Sequence, residues 1–477
     1  MKKHIYLLWL VVFAGVFMSS QMNNKILVMN DDEYILVLPD EPYDYNDIEI
    51  PEHYMFFSIF NGIDFMNGTI DNHIATLGRV MFYDRALSYN RSVACGSCHQ
   101  QQFGFADDEQ FSEGFDGQIG TRNAMHIADF GLDGYGRFLW NDAEEDLVEM
   151  TLLPLQNGVE MGITLDELKD RMTESEYYPD LFQAAFGDEN ITDERIGMAF
   201  SQFLMSIVAV NTKLDQGIQN EFADFTEQEL EGKTIFENAC QNCHNSPFTN
   251  MEGDPFFGLF DFMGPHNTGL DIQYADDGLG EVTGLNTDNG KFKTVNLKNV
   301  ALTAPYMHDG RFQTLEEVID FYSDDVQPHP NSTFQTHWFF QENFPTPFAG
   351  FNFTEAEKMA LLAFLQTFTD ETLVNEPKWS DPFVRVGGNV GIENGNETAN
   401  IEVYPNPMRT HTLIDLGSFP EKKATQIRLL HLNGQVVRQV QTMNRTYNLL
   451  RDNLAAGTYL LEITKDGQQI MEQIVVQ

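Results

Sequence analysis

Between residues 150 and 370 apolar side chains recur at the three-to-four-residue spacing of amphipathic helices, whereas beyond residue 400 they alternate with polar ones, the period of half-buried strands. Four Thr-x-x-Glu capping boxes mark helix starts in the first region: Thr164 with Glu167, Thr226 with Glu229, Thr314 with Glu317, and Thr354 with Glu357. Helix-period segments such as IGMAFSQFLMSIVAV fill the space between them. In the second region IRLLHL and QVVRQV flank Asn433-Gly434, and TYLLEI and QQIMEQIVV flank Lys465-Asp466-Gly467, two hairpin signals. A Gly/Asn-rich stretch without periodicity, VGGNVGIENGNETA, separates the regions and reads as a linker over 386–399. The pattern predicts a mainly α chain followed by a small all-β sandwich at 400–477.

The N-terminus adds two lysines, then 14 apolar residues from Ile5 to Met18, then small polar residues. That run is short for a membrane span and has the order of a secretory signal, so residues 1–20 read as a removed leader; an uncleaved anchor is the alternative. No later segment is long and apolar enough to span a bilayer, so the mature chain is expected to lack a transmembrane segment.

Composition changes the picture in two ways. A chain of 477 residues with 42% hydrophobic side chains has room for about three domains with real cores. Its 28 Lys+Arg against 72 Asp+Glu give a net charge of -44, which repels phosphate backbones and excludes nucleic acid as a partner.

All four cysteines lie in two pentapeptides, CGSCH at 95–99 and CQNCH at 240–244. In an exported chain two disulfides are the first alternative, and zinc the second. A disulfide gives no role to the histidine that follows each pair, and each zinc site would lack ligands. Cys-x-x-Cys-His is the attachment signature of haem c: Cys95 and Cys98, and Cys240 and Cys243, bond two vinyl groups, and His99 and His244 become iron ligands. Two covalently bound haems are expected.

Around these motifs the sequence resembles the di-haem cytochrome c peroxidase and MauG family. The resemblance is carried by LGRVMFYDRALSYNRSVACGSCH at 77–99, TRNA at 121–124, FLWND at 138–142, GVEMG at 158–162, CQNCH, and KFKTVNLKNVALTAPYMHDGRFQTLEEVIDFY at 291–322. It spans roughly residues 50–375 and implies two cytochrome c-like haem domains, 21–215 and 216–385, the first holding the peroxide site. Where bacterial peroxidases of the family carry a closing histidine, 16 residues after the proximal one, this chain has Phe115, which implies an open iron. His126 is the nearest substitute. The resemblance assigns Glu160 to proton transfer during O–O cleavage and Trp140 to electron passage between the haems; an ordinary solvated Glu and a core Trp are the alternatives. Met150 stands where the family often has Gln, a departure, while Pro154 matches.

Fourteen residues after His308, Tyr322 stands where MauG-like proteins have a tyrosine ligand to the second iron, in place of methionine. Independently, a helix from Thr314 places Leu315, Val318, Ile319 and Tyr322 on one face, as it would for a core tyrosine. Asn123, Thr303 and Pro305 match positions that hold Ca2+ in the family. The implied activity is reduction of hydrogen peroxide with electrons from an external donor, a small cytochrome or other. A MauG-like oxidase acting on a protein or small molecule, and a non-catalytic electron carrier, remain open.

The β module resembles the sorting domain of the type IX secretion system of Bacteroidetes, through VYPNPM at 403–408, the Asn-Gly hairpin, AAGTYLLEI at 455–463 and the terminal IVVQ. That resemblance implies the type IX machinery as a partner and the cell surface or medium as destination. A generic sandwich with a binding role is the other reading.

Overall fold

A computed structural model describes residues 24–28, 34–51, 53, 70–132, 137–241, 243–244 and 264–385, and, of the C-terminal module, 402–404, 408, 411–415, 425–431, 436–442, 446–451, 454–455, 457–465 and 468–476. The leader 1–20, the linker 386–399 and the Asn433-Gly434 turn lie outside these residues. The chain divides into two compact units, Met1–Val384 and Arg385–Gln477. No helix among the described residues is long and apolar enough to cross a membrane.

The first unit is helical: α1 (Asn72–Tyr83), α2 (Cys95–Cys98), α3 (Leu147–Gln156), α4 (Leu165–Thr173), α5 (Tyr178–Phe186), α6 (Asp193–Ser206), α7 (Lys213–Gln219), α8 (Glu227–Ala239), α9 (Leu315–Asp320) and α10 (Glu355–Gln366), with shorter turns between them. Hydroxyl caps start them where the Thr-x-x-Glu pattern predicts. At Thr226, Thr314 and Thr354 the glutamate returns to the cap N–H at 2.7, 3.3 and 2.7 Å. At Thr164 only the hydroxyl half forms, because Glu167 turns to Arg171 at 3.0 Å. The run IGMAFSQFLMSIVAV leaves the helix at Ser206: Asp129 N–H donates to Ile207 O, and Ala209 N–H donates to the Asp129 carboxylate, both at 2.7 Å. Main-chain donors captured from outside outweigh the helical period there.

Two helix crossings repeat the same contact. On α1 Gly78 lies so close to α6 that a Cβ would enter the Ala199 carbonyl and then meet Phe203 Cβ. On α8 Gly232 stands in the same relation to Ala360 and Phe364 of α10. Each crossing brings a helix that precedes an attachment motif against one that follows it, and only glycine permits that approach.

Each crossing sits in its own apolar core. One spans Leu36 to Ala209, and the other spans Val208 to Phe368, with a Phe-rich satellite around Phe321, Phe334 and Phe348. Residues that follow the second core in sequence return to the first: Leu373 and Trp379 are buried in it, and Tyr83 Oη donates to Trp379 O at 2.6 Å. This return ends in β3 (Phe383–Arg385), which completes a sheet of order β1-β2-β3 with β1 (Asn24–Val28) and β2 (Tyr34–Pro39). The cores are joined by a buried ion pair. Lys298, 1% exposed, donates to Asp215 Oδ2 at 2.7 Å and to Ala209 O at 2.8 Å. Burial raises the Asp215 carboxyl, but the His53 and Lys298 contacts outweigh it and hold the group well below the usual range.

The C-terminal unit has two antiparallel sheets, β10-β9-β6-β7 and β4-β5-β8, over one core that takes Ile414 and Leu449 from one and Ile427, Leu461 and Ile474 from the other. Its strands are β4 (Glu402–Tyr404), β5 (His411–Asp415), β6 (Thr425–Leu430), β7 (Val436–Thr442), β8 (Thr446–Leu450), β9 (Gly457–Lys465) and β10 (Gln468–Val476). The alternation of β6, with Thr425, Ile427 and Leu429 buried and Gln426 and Arg428 half-buried, is the period read from sequence.

Replacing Gly78 or Gly232 by alanine forces backbone apart at these crossings. Each substitution is expected to cost at least about 2 kcal/mol and to lower the thermal midpoint of the holoprotein by several degrees. An unchanged melting curve for both variants would show the crossings to be looser than described.

Candidate active site

The two Cys-x-x-Cys-His motifs adopt the same local shape. In each, the histidine N–H donates to the first cysteine's carbonyl at 2.9 Å, and both cysteines line the same cavity. CGSCH needs its glycine: Gly96 lies flat on the Tyr83 ring, where a Cβ would clash. Both imidazoles are oriented alike, His99 Nδ1 lying 3.2 Å from Phe105 O and His244 Nδ1 3.2 Å from Val295 O. A carbonyl can only accept, so Nδ1 carries the proton and Nε2 is left as the ligating nitrogen. The four thiols are unpaired. Burial pushes Cys95, Cys240 and Cys243 up to about 12 and Cys98 to about 11, so the thiols are neutral. Among the described residues no cluster of three or more His, Cys, Asp or Glu could hold a metal.

Both motifs line one continuous cavity of about 1310 Å3. A single small-molecule pocket holds about 300–1,000 Å3, so this volume, its mostly apolar walls and two prepared imidazoles fit macrocycles covalently held at both motifs. Haem c is therefore compatible with the residues present.

Glu160 lines this cavity from the turn after α3. Its Oε1 accepts from Asn157 Nδ2 at 2.7 Å; the side chain is exposed to the open cavity, and the cavity walls packed around it still raise its carboxyl above the usual range despite that bond. Gly162, with φ of 65°, admits the Phe115 ring behind the turn, and Phe115 N–H donates to Glu160 O at 2.9 Å. Phe115 is not among the cavity-lining residues. Neither is His126: its Nδ1 is 2.6 Å from Gly104 O, and burial lowers it to about 4. Met150 and Pro154 line the cavity from α3.

Trp140 lines the same cavity, and its Nε1 donates to Asn123 O at 2.8 Å. Its ring lies 6.5 Å, edge-on, from His308, which stacks on Phe292 at 3.6 Å. Asn123 N–H donates to His308 O at 2.8 Å, so the TRNA loop is sewn to the PYMHDG loop. Tyr322 also lines the cavity, and burial, with smaller contributions from Cys243 and Cys240, raises its phenol well above its ordinary value. Sequence places it on the inner face of an α-helix; in the structure α9 stops at Asp320 and Tyr322 sits in a π-turn, Phe321–Asp325, that keeps it inward.

The residues at the calcium positions are each engaged in the structure. Asn123 is buried and spends its Nδ2 on Glu109 O and Gln110 O, both at 3.2 Å. Thr303 Oγ1 donates to Val300 O at 3.3 Å, and Pro305 follows a cis bond. Several cavity residues were not singled out by sequence reasoning. His308, Phe292 and Arg311 stood in the matched 291–322 block, whereas nothing local marked Tyr274 or Asp276.

Comparison with known proteins gives the family. The family model "Di-haem cytochrome c peroxidase" matches residues 72–223, and "Secretion system C-terminal sorting domain" matches 402–477. Cytochrome c551 peroxidase of Nitrosomonas europaea is 30% identical over 248 residues, 52% of this chain and 72% of its own length. Methylamine utilization protein MauG of Methylophilus methylotrophus is 26% identical over 299 residues, 61% and 81% of the two chains. Among solved structures, a MauG-like protein associated with microbial copper homeostasis is 34% identical, covering 66% of this chain and 94% of that one, with a TM-score of 0.55. A diheme peroxidase from Burkholderia thailandensis shares the fold at TM-score 0.51 and 21% identity, covering 75% of this chain and 99% of that one. The chain belongs to the di-haem cytochrome c peroxidase and MauG family, oxidoreductases that use haem c and act on peroxide. Its C-terminal unit is a type IX sorting domain, which directs it to the cell surface or medium.

Replacing Cys95 and Cys98 together by alanine, or Cys240 and Cys243, should each remove one covalent haem. Intact mass of the denatured protein reads the result directly: loss of both haems from one double variant, or of neither, contradicts separate attachment.

Proposed function

We propose that this protein is an exported di-haem c-type peroxidase that reduces hydrogen peroxide at the His99 side of the cavity with electrons drawn from an external donor through the His244 side. The observation that carries this reading is one cavity shared by two imidazoles, each with Nδ1 tied to a carbonyl, and by a raised carboxyl at Glu160. Residues 21–215 and 216–385 would form the two haem domains; the repeated glycine crossing supports two halves, while the return of Leu373, Trp379 and Phe383 to the first core ties the end of the second to it. Residues 400–477 would form the sorting sandwich.

Haem iron supplies, when bound, the redox centre at which a peroxide is reduced. The protein's part is proton handling and electron passage. Cleaving the O–O bond requires a proton to move from the near to the far oxygen, and Glu160, open to the cavity, raised by its walls and oriented by Asn157, can take and return it. Phe115 is turned behind Glu160 rather than into the cavity, which leaves peroxide access on that side. Trp140 and the His308–Phe292 stack give an aromatic route along the cavity wall. Tyr322 would ligate the second iron as phenolate, the metal's charge overcoming the burial that holds its proton. Ca2+ would sit at Asn123, Thr303 and Pro305 through oxygens of side chain and main chain.

The second reading, a MauG-like oxidase of a protein or small molecule, is favoured by Tyr322 on the cavity and by the 34% identity to a MauG-like structure. A phenolate stabilises oxidised iron and suits storage of oxidising equivalents.

Electron paramagnetic resonance of the ferric protein before and after one equivalent of peroxide tests the enzyme reading. A high-spin signal bleached by peroxide is expected, and an entirely low-spin spectrum unmoved by peroxide contradicts it in favour of an electron carrier. Glu160→Gln should slow the peroxide step by about 10²-fold or more with both haems still attached. Tyr322→Phe should change the second haem's spectrum, and an unchanged spectrum removes it as a ligand.

A further inference from the structure

The cavity wall holds a phenol–imidazole pair that none of the roles above uses. Tyr274 lines the cavity, and its hydroxyl lies 2.6 Å from His329 Nδ1. The direction of this bond is fixed by a second contact. Asn331 N–H also points at His329 Nδ1, at 3.0 Å, and an amide N–H can only donate, so Nδ1 is an acceptor and the tyrosine O–H is the donor. Asn267, 1% exposed, donates its Nδ2 to the Tyr274 oxygen at 2.7 Å and is itself held by Asn289 O and Gly269 N–H. The ring rests on Gly290, whose φ of 74° and missing Cβ make the seat. Outward, the ring is only half-buried and its neighbours Ile272, Gln273 and Ala275 are exposed, so one side chain touches both the cavity and the surface.

We propose that Tyr274 is the redox residue through which electrons from the external donor enter the cavity, with His329 as its proton partner. This inference rests on the peroxidase reading above. In the forward step the phenol gives one electron to the peroxide-oxidised haem system and its proton to His329 Nδ1, leaving a neutral tyrosyl radical and an imidazolium. A one-electron donor at the surface then reduces the radical while His329 returns the proton. Two such cycles supply the two electrons that one hydrogen peroxide consumes on its way to two waters. The arrangement suits this because a short O–H···N bond keeps the proton beside the oxygen it must rejoin, and His is the side chain that gains and loses a proton most readily near neutrality. An aromatic side chain at the surface also spares the donor from reaching a buried macrocycle.

The test uses the full-length holoprotein, its Tyr274→Phe variant, which keeps the ring on Gly290, and His329→Gln, which removes the proton acceptor. Each is mixed with one equivalent of hydrogen peroxide, freeze-quenched and read by electron paramagnetic resonance. Steady oxidation of tetramethyl-p-phenylenediamine, a one-electron donor, is measured in parallel. The parent protein is expected to show a narrow organic-radical signal that Tyr274→Phe abolishes. Donor oxidation should fall at least about tenfold in both variants, while bleaching of the high-spin haem signal by peroxide is kept. If the haem signal responds to peroxide but Tyr274→Phe leaves the radical and the donor rate unchanged, the relay is overturned, whatever the variant does to the melting temperature. If the parent haem does not respond to peroxide, the peroxidase reading fails and the relay with it.

Discussion

The hydrogen bond from each imidazole Nδ1 to a main-chain carbonyl is the constraint around which the first unit is arranged. An unrestrained histidine ring can present either nitrogen, and only one presentation serves a macrocycle held by the neighbouring sulfurs. For His99 the carbonyl is local, Phe105 O, six residues on. For His244 it is Val295 O, fifty-one residues on, so the second motif is complete only when the 291–322 block has folded over it. The same block carries Lys298 into the partner core and His308 beneath Trp140.

From this common base the two halves diverge. In the first, Gly114 packs on the Val159 carbonyl and Gly162 under the Phe115 ring, so the loop that could have closed the cavity is pinned behind the turn that offers Glu160. In the second, α9 widens into a π-turn, and the carbonyls released are taken up from outside: Phe351 N–H donates to Tyr322 O at 3.0 Å and Asn352 N–H to Ser323 O at 2.8 Å. A π-turn costs helical regularity and is commonly found where a side chain must be re-aimed. Here it keeps a large phenol directed at the cavity while satisfying the backbone behind it.

How much of this was legible followed the range of the interaction concerned. Attachment motifs and helix caps are set within five residues, and those were readable from Cys95 to Thr354. The single box that failed, at Thr164, lost its glutamate to Arg171, a competition the capping pattern does not encode. The β1-β2-β3 sheet needs Phe383 to return across more than three hundred residues, and the Lys298–Asp215 pair spans eighty-three, so neither leaves a local trace. Tyr322 lay between these cases. Its inward face followed from the apolar stripe of α9, but the π-turn that aims it depends on Phe351 and Asn352, outside any local pattern. Tyr274 had no signal at all, because its partners Asn267, Gly290 and His329 converge from three separate loops.

Electrostatics at the cavity wall point the same way as the tyrosine ligand proposed for the second iron. Arg122 is held by Asp276 at 2.7 Å and Glu281 at 2.6 Å, and Arg311 by Asp271 at 2.7 Å and Asp309 at 2.6 Å. Two guanidinium groups thus face four carboxylates, and all six residues line the cavity. A negative surrounding, like an anionic axial ligand, stabilises oxidised iron and lowers its potential. It would act within a chain whose net charge is -44, so the whole field adds to the local one. A negative surface of this kind would, under the proposed function, make a further demand on the electron source: a donor protein docking here would gain most from a basic face, and its approach would weaken as salt screens the field.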